Sequence, residues 1–264
     1  IVVALRKGTF RVRHFSPHFL TYIFNQVLRA FIAFASYPVW IGLFQGLRPF
    51  ESDLSWYWFV YAFLVFDLAL YLLHFAMHKV RLLWCIHAPH HSAEYMSTVV
   101  NRTNFYLNEV YLSFFRTLFC MLMGVNPVIL LIVVAVEGMW VHFVHISEDV
   151  LKRGRLGLLD RILISPSLHR VHHARNPLYI DTNYANLFSL WDWVFGTLQH
   201  EDDEEKIEYG ITRKINSFTD FYFGEAILLW KDVVRAPTWL DKVKYVVRPP
   251  GWKHVADYKT GPMV

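Results

Sequence analysis

Four long apolar stretches, separated by short polar breaks, run through the first 146 residues: roughly Phe19 to Leu47, Trp56 to His74, Phe105 to Gly124 and Pro127 to Ile146. A helix needs about 20 residues to cross a bilayer, so the pattern predicts an all-α membrane bundle of about four spans. Asn25, Gln26 and Arg29 interrupt the first stretch, and Glu109 and Arg116 the third. Such groups are expected to face protein or the headgroup zone and not lipid tails. After Ile146 the apolar runs shorten and charges mix in, which predicts a helical cap over residues 147–264. No stretch rich in Gly, Ser or Pro divides two cores. The expectation is one membrane-embedded domain over residues 1–264, with the bundle in residues 1–146.

Local signals refine the cap. Ser165, Pro166 and Ser167 read as a helix start, and Asn176 with Pro177 as the stop that follows. The acidic run Glu201 to Glu205 reads as a solvated loop. The stretch FYFGEAILLW, Phe221 to Trp230, fits either the membrane surface or burial against the cap.

The composition agrees with a membrane protein: 55% hydrophobic and 17% aromatic against only 18% charged, unlike an average soluble domain. Basic residues orient the bundle. Arg6, Lys7, Arg11 and Arg13 precede the first span, Lys79, Arg81 and Arg102 follow the second, and the region after Ile146 is rich in Lys and Arg. The opposite loops hold only Arg48, near Pro49. By the positive-inside rule both termini and the polar connections face the cytoplasm, in an endoplasmic reticulum or bacterial inner membrane. The formal charge of +4 is then mostly topology, with anionic headgroups as a secondary attraction, and no nucleic-acid partner is expected. Cys85 and Cys120 form no disulfide framework; core packing suits Cys85 better than a role as soft ligand. The sequon at Asn101 is expected to stay unused on the cytoplasmic side. No secretory signal is recognisable, and any targeting signal would lie upstream of Ile1.

The chemistry is in the histidines. Ten of the fourteen fall in three short regions: HFAMH (His74, His78) with HAPHH (His87, His90, His91), then HFVH (His142, His145), then HRVHH (His169, His172, His173). Imidazole is a common transition-metal ligand, and spacings of i, i+3 and i+4 put rings on one side of a helix. One ion takes about three or four protein ligands, so a set this large predicts two metals close together, at the cytoplasmic end of the bundle. Asp67 on the second span and Glu137 on the fourth are expensive in a membrane. They are candidates to orient a ligand or to bond within the bundle, and Asp181 is a further candidate to support the ligands. No catalytic side chain is expected beyond the metal ligands.

Histidine ligation accepts zinc, iron, copper or nickel. Two irons suit oxygen-dependent attack on a lipid C–H bond. Zinc would suit hydrolysis, but none of the histidine motifs contains the carboxylate base of H-E-x-x-H. A metal or proton transporter would place histidines at mid-membrane depth, not at one end of the bundle.

HFAMH, HAPHH, a distal histidine after a transmembrane hairpin and HRVHH occur in an order that resembles the fatty acid hydroxylase and sterol desaturase superfamily of membrane di-iron oxygenases. The match runs over about Trp56 to His200. Within the superfamily, HAPHHSAEYMST, SPSLHRVHHARNPLYIDTNYANLFSLWDWVFGT and YGITRKINSF are similar to the alkylglycerol monooxygenase branch and its bacterial relatives. The resemblance implies four spans, a cytosolic di-iron centre and a monooxygenase or desaturase that uses O2 on an alkyl lipid, fatty acyl chain or sterol. Tetrahydrobiopterin or an electron-transfer protein would be the reductant. The implied ligands are His74, His78, His87, His90, His91, His145, His169, His172 and His173, with His142 in a supporting or extra position. One departure stands out: the branch usually has glutamate after its first motif, and here Lys79 follows His78.

Overall fold

A computed structural model describes residues 12–105 and 107–254, with side chains from residue 23 onward except at positions 25, 29, 30, 33 and 34. Arg6, Lys7 and Arg11 lie outside the described residues, as do the side chains of Arg13, Asn25 and Arg29. The described residues are helical, with two isolated β-bridges and no strand. The helices are α1 (Val12–Phe44), α2 (Trp56–Lys79), α3 (Arg81–His91), α4 (Asn108–Leu122), α5 (Pro127–Val144), α6 (Pro166–His172), α7 (Leu190–Phe195), α8 (Phe218–Arg235) and α9 (Trp239–Val247).

Only α2 and α5 among the described residues combine the length and apolar composition needed to cross a membrane. The third apolar stretch forms a shorter helix than its hydropathy predicts. Helix α4 begins at Asn108 and ends at Leu122, before a turn at Met123 and Gly124, and its 15 residues give about 22 Å of rise against a hydrocarbon core of about 30 Å. Its interrupting charges bury each other: Arg116 Nη2 lies 3.0 Å from Glu109 Oε1. Helix α1 packs along α4, where Ser36 and Trp40 both donate to Ser113 Oγ.

The bundle core joins Ala62, Val65, Phe66 and Leu70 of α2 to Cys120 and Met121 of α4 and to Ile129, Leu130 and Val133 of α5. The α4–α5 turn is closed by Gly124, whose φ of +73° suits glycine; a Cβ there would meet the Phe50 ring at 2.5 Å. Pro127 opens α5, and the Asn126 side chain caps it by accepting from Val128 N.

The cap packs on the end of this core through Tyr71 and Val144 with Ile164, Leu168, Tyr184 and Ala185. Helix α6 starts as the sequence predicts, with Ser165 accepting from Leu168 N and Pro166 in the first turn. FYFGEAILLW lies in α8, which packs on α3 and buries Phe221, Tyr222 and Leu229 while Phe223, Ile227 and Trp230 stay exposed. The acidic run is the exposed loop expected, with residues 202–205 all on the surface, and it is tied down at a few points. Glu201 accepts from Ser167, Asp203 pairs with Arg155 and Glu205 accepts from Asn176, so these carboxylates tie the 201–205 loop to both flanks of α6.

Candidate metal centre

Nine of the ten clustered histidines converge, in two groups. His74, His78, His87, His91 and His172 form one; His90, His145, His169 and His173 form the other. Within each group one ring nitrogen per residue lies within 4.8 Å of the others, and all nine side chains are buried. The groups adjoin: the His91 and His173 rings stack with centroids 4.4 Å apart, and the His87 and His90 centroids are 5.2 Å apart.

Each H-x-x-H-H motif serves both groups. At about 100° per residue, positions i and i+4 lie about 40° apart on a helix and i+3 leans about 60° to the other side. On α3, His87 and His91 therefore join the five-histidine group while His90 crosses to the other. The motif of α6 does the reverse: His169 and His173 enter the four-histidine group and His172 crosses. The α2 pair at i and i+4, His74 and His78, stays together. His145, just past α5, completes the second group.

Backbone carbonyls set the tautomers. Nδ1 of His74 donates to Tyr184 O at 2.7 Å, His90 to Val100 O at 3.0 Å, His145 to Val141 O at 2.6 Å and His172 to Thr182 O at 2.8 Å. A carbonyl only accepts, so in these neutral rings the proton sits on Nδ1 and Nε2 is a bare lone pair. His90 and His145 nevertheless aim Nε2 at Nε2 across 3.3 Å. No hydrogen lies between them, and such a pair of lone pairs is stabilised by a shared cation. Two nitrogens each about 2.1 Å from one ion and at right angles stand about 3 Å apart. Nε2 of His78 and of His172 is also buried with no hydrogen-bond partner. The donor set fits transition-metal ions.

Electrostatics favour the neutral rings that metals need. Burial holds the pKa of His87, His91, His169, His172 and His173 well below the ordinary histidine value, and neighbouring rings push the same way.

The supporting residues divide. Asp67 touches no histidine; it accepts from the backbone N–H groups of Leu187 and Phe188, both at 2.9 Å. Asp192 does the same for Tyr184 and Ala185. The two carboxylates thus hold the loop whose carbonyls, at Thr182 and Tyr184, fix His172 and His74. Asp181 Oδ1 lies 3.7 Å from His78 Nδ1 and its other oxygen takes Lys79 Nζ at 2.5 Å. Glu137 accepts from Asn186 Nδ2 at 3.1 Å. His142 stands apart from both groups: its Nδ1 faces Gly138 O, and Arg102 Nε donates to its Nε2 at 3.2 Å. Cys85 is also apart, in an apolar cluster with Leu229, Ala236 and Tyr245, and burial pushes its thiol up to about 11.

Two residues escape a sequence reading. Asp192 is one. The other is Arg170, fully buried within HRVHH, whose guanidinium donates to the carbonyls of Ile146, Leu151 and Lys152 and so binds α6 to the segment after His145. A charge inside a metal motif, pointing away from the ligands, is the only signal it leaves in the sequence.

A cavity of about 90 Å³ adjoins both groups. His74, His87, His90, His145 and His169 line one side, and Asn, Arg and Glu side chains of α4, α5 and the 100–104 turn line the other.

The chain is similar to the alkylglycerol monooxygenase of Xenopus tropicalis, 34% identical over 81% of this chain and 47% of that protein. It is 32% identical to the human alkylglycerol monooxygenase over 77% of this chain and 44% of that protein. An ornithine lipid hydroxylase of Rhizobium tropici is 30% identical over 59% and 46% respectively. The chain thus spans somewhat less than half the length of these relatives. No solved structure matches it. Residues 59–197, which contain all nine converging histidines, match the fatty acid hydroxylase model, and the chain belongs to the fatty acid hydroxylase family.

Proposed function

We propose that this chain is the catalytic domain of a multi-pass membrane di-iron oxygenase that hydroxylates or desaturates a lipid at a C–H bond, using O2 and an external reductant. The observation that carries the reading is the lone-pair contact between His90 and His145, inside a set of nine buried imidazoles that contains no carboxylate. His74, His78, His87, His91 and His172 would hold one iron, and His90, His145, His169 and His173 the other. Two irons held by neutral imidazoles would supply the redox chemistry that activates dioxygen.

The remaining work falls to the protein. The Nδ1–H bonds to Tyr184, Val100, Val141 and Thr182 keep four rings in the ligating tautomer. Burial keeps protons off the imidazoles and bulk water away from the site. Helices α2 and α5 deliver their histidines at their C-terminal ends, where a lipid from the bilayer and electrons from the cytoplasm can both arrive. The kinship with lipid monooxygenases and hydroxylases supports a lipid substrate, and the excess of Lys and Arg beyond these helix ends supports the cytoplasmic orientation. An electron-transfer protein or a reduced pterin would serve as donor.

Metal analysis by mass spectrometry together with a Mössbauer spectrum, on protein purified in detergent from iron-supplemented cells, tests the reading. Close to two irons per chain with a coupled spectrum is expected. One tightly held zinc that iron does not displace under anaerobic reconstitution would replace the oxygenase by a hydrolase.

A further inference from the structure

Helices α8 and α9 pack together as a hairpin, and each has two apolar faces. The inner faces share one cluster, in which Leu229 of α8 and Tyr245 of α9 pack around Cys85 of α3. The outer faces are exposed. On α8, Phe223, Ile227, Trp230 and Val234 recur at i, i+4, i+7 and i+11 and make one stripe on the side away from Leu229. On α9, Trp239, Leu240, Val243 and Val247 make another, on the side away from Tyr245. The two tryptophans are 68% and 74% exposed, in a residue type that is ordinarily well buried. Single exposed apolar residues need no explanation, but two continuous stripes on adjoining helices mark an interaction surface.

Charge and position identify the partner. The acids of residues 218–254 are all paired: Asp220 and Glu225 with Arg213, Asp232 with Arg81 and Asp241 with Lys244. Lys231, Arg235, Lys242, Arg248 and Lys253 are exposed and make no ion pair among the described residues. At 100° per residue Lys231 and Arg235 border the α8 stripe, and Lys242 and Lys244 flank that of α9. A Trp-containing apolar stripe bordered by basic side chains suits a helix lying in a membrane interface, where long cationic side chains reach the phosphates. The hairpin is also fixed where the bundle ends. Arg81, two residues beyond α2, donates its backbone N–H to Arg248 O at 3.1 Å and its guanidinium to Asp232 at 2.5 Å. Phe105, just before α4, packs edge-on against Tyr222 and Phe223. Both attachments stand at the end of the bundle that carries the histidines, at the level of lipid headgroups.

We infer that the α8–α9 hairpin is a peripheral anchor on an anionic phospholipid surface. Its two stripes lie in the boundary between headgroups and acyl chains, and its unpaired Lys and Arg side chains bind lipid phosphates. The inference rests on α2 and α5 crossing the bilayer and not on the chemistry of the metals. Because α8 and α9 both pack on α3, which carries His87, His90 and His91, the leaflet on that side becomes a support for the histidine site.

Fluorescent labels on single introduced cysteines in the full chain test this, in vesicles of phosphatidylcholine with and without phosphatidylglycerol. The native Cys85 and Cys120 are buried. Trp230→Cys and Trp239→Cys report on the two stripes, Leu131→Cys on the exposed side of α5 and Glu204→Cys on the exposed acidic loop. In vesicles containing phosphatidylglycerol, the labels at 230 and 239 should be quenched by a lipid spin-labelled near its headgroup and shielded from aqueous iodide, while the label at 204 shows the reverse. Adding Lys231→Glu and Lys242→Glu should shift the label at 239 toward iodide by about fivefold for each lysine removed, and only in the anionic vesicles. Iodide quenching at 230 and 239 equal to that at 204, with 131 still shielded, overturns the anchor and leaves the membrane spans standing. A label at 131 that is open to iodide would overturn the membrane reading itself. Labels at 230 and 239 shielded from both quenchers would put a protein on this face and overturn the proposal, as would a charge-reversed variant that behaves like its parent in both kinds of vesicle.

Discussion

Asp181 stands between Lys79 and His78, 2.5 Å from the ammonium of one and 3.7 Å from the ring of the other. The residue that follows the first histidine motif is a lysine and not a carboxylate. The structure places a carboxylate beside that motif all the same, supplied from the cap by a residue held at φ +65°. Burial alone would raise the Asp181 pKa, but the bonds from His78 and Lys79 outweigh it and hold the carboxylate down to about 2. The bridge is therefore intact at any working pH. Its contribution to stability is complete above the ordinary carboxylate range and disappears only as pH falls from about 4 toward about 2.

Asp181→Asn is expected to lower metal affinity by about tenfold to a hundredfold, the usual effect of removing a group that orients a ligating imidazole. Competition against a chelator measures it. Lys79→Glu should have a similar effect by setting two carboxylates against each other. A chelator titration in which both variants match the native protein would limit Asp181 to loop structure.

The two histidine groups give opposed expectations for neighbouring residues. His145→Ala should reduce the iron content from about two to about one per chain, since its group retains only three imidazoles. His142→Ala, whose ring is engaged by Arg102 and Gly138 O, should keep both. Metal counting on the two purified variants decides the assignment. Two irons retained in His145→Ala, or one lost in His142→Ala, would redraw the second group.

Much of this site is legible in the sequence because metal ligation needs side chains at helical spacing, and H-x-x-H-H states that spacing openly. The division of the histidines into two groups is not legible. His90 and His172 cross to the opposite group only once α3 and α6 face each other, and nothing in either motif reports that. The loop that fixes His74 and His172 is equally hidden, because it acts through the carbonyls of Thr182 and Tyr184 and is held by Asp67 from over a hundred residues away. Hydropathy overstates α4 for a related reason. Phe105 and Leu107 precede the helix and Met123 and Gly124 form the turn after it, and a window average cannot tell apolar turn residues from a continued helix. Burial of Asn101 also takes the sequon out of reach.

Acid should destabilise the metal-free protein well before it protonates the site. His87, His91, His169, His172 and His173 have folded pKa values below their unfolded value of about 6.5. Below that pH the unfolded chain binds protons that the folded chain refuses, so stability is complete above about pH 6.5 and falls as pH drops. Each such histidine adds to the slope of that decline. Thermal midpoints of chelator-stripped protein between pH 7.5 and 5 should decline, and bound metal should flatten the decline by holding the rings neutral. A midpoint that is flat in the stripped protein would mean that these rings are solvated or already charged.

Arg170 offers the sharpest test of how the cap is attached. Its guanidinium satisfies three carbonyls in the stretch after His145, and Gly154 packs against it with no room for a side chain, a Cβ falling 3.0 Å from the guanidinium. Arg170→Ala leaves those carbonyls without their donor and opens a cavity under α6, which should cost about 2–4 kcal/mol. Since α6 carries His169 and His173 and the segment it grips begins at His145, the loss should fall first on the four-histidine group. Stability and iron content should therefore fall together. Arg170→Lys, which reaches with one ammonium in place of a planar fork, should recover only part of either. A variant that unfolds earlier yet keeps both irons would show that α6 holds its histidines in place without this anchor.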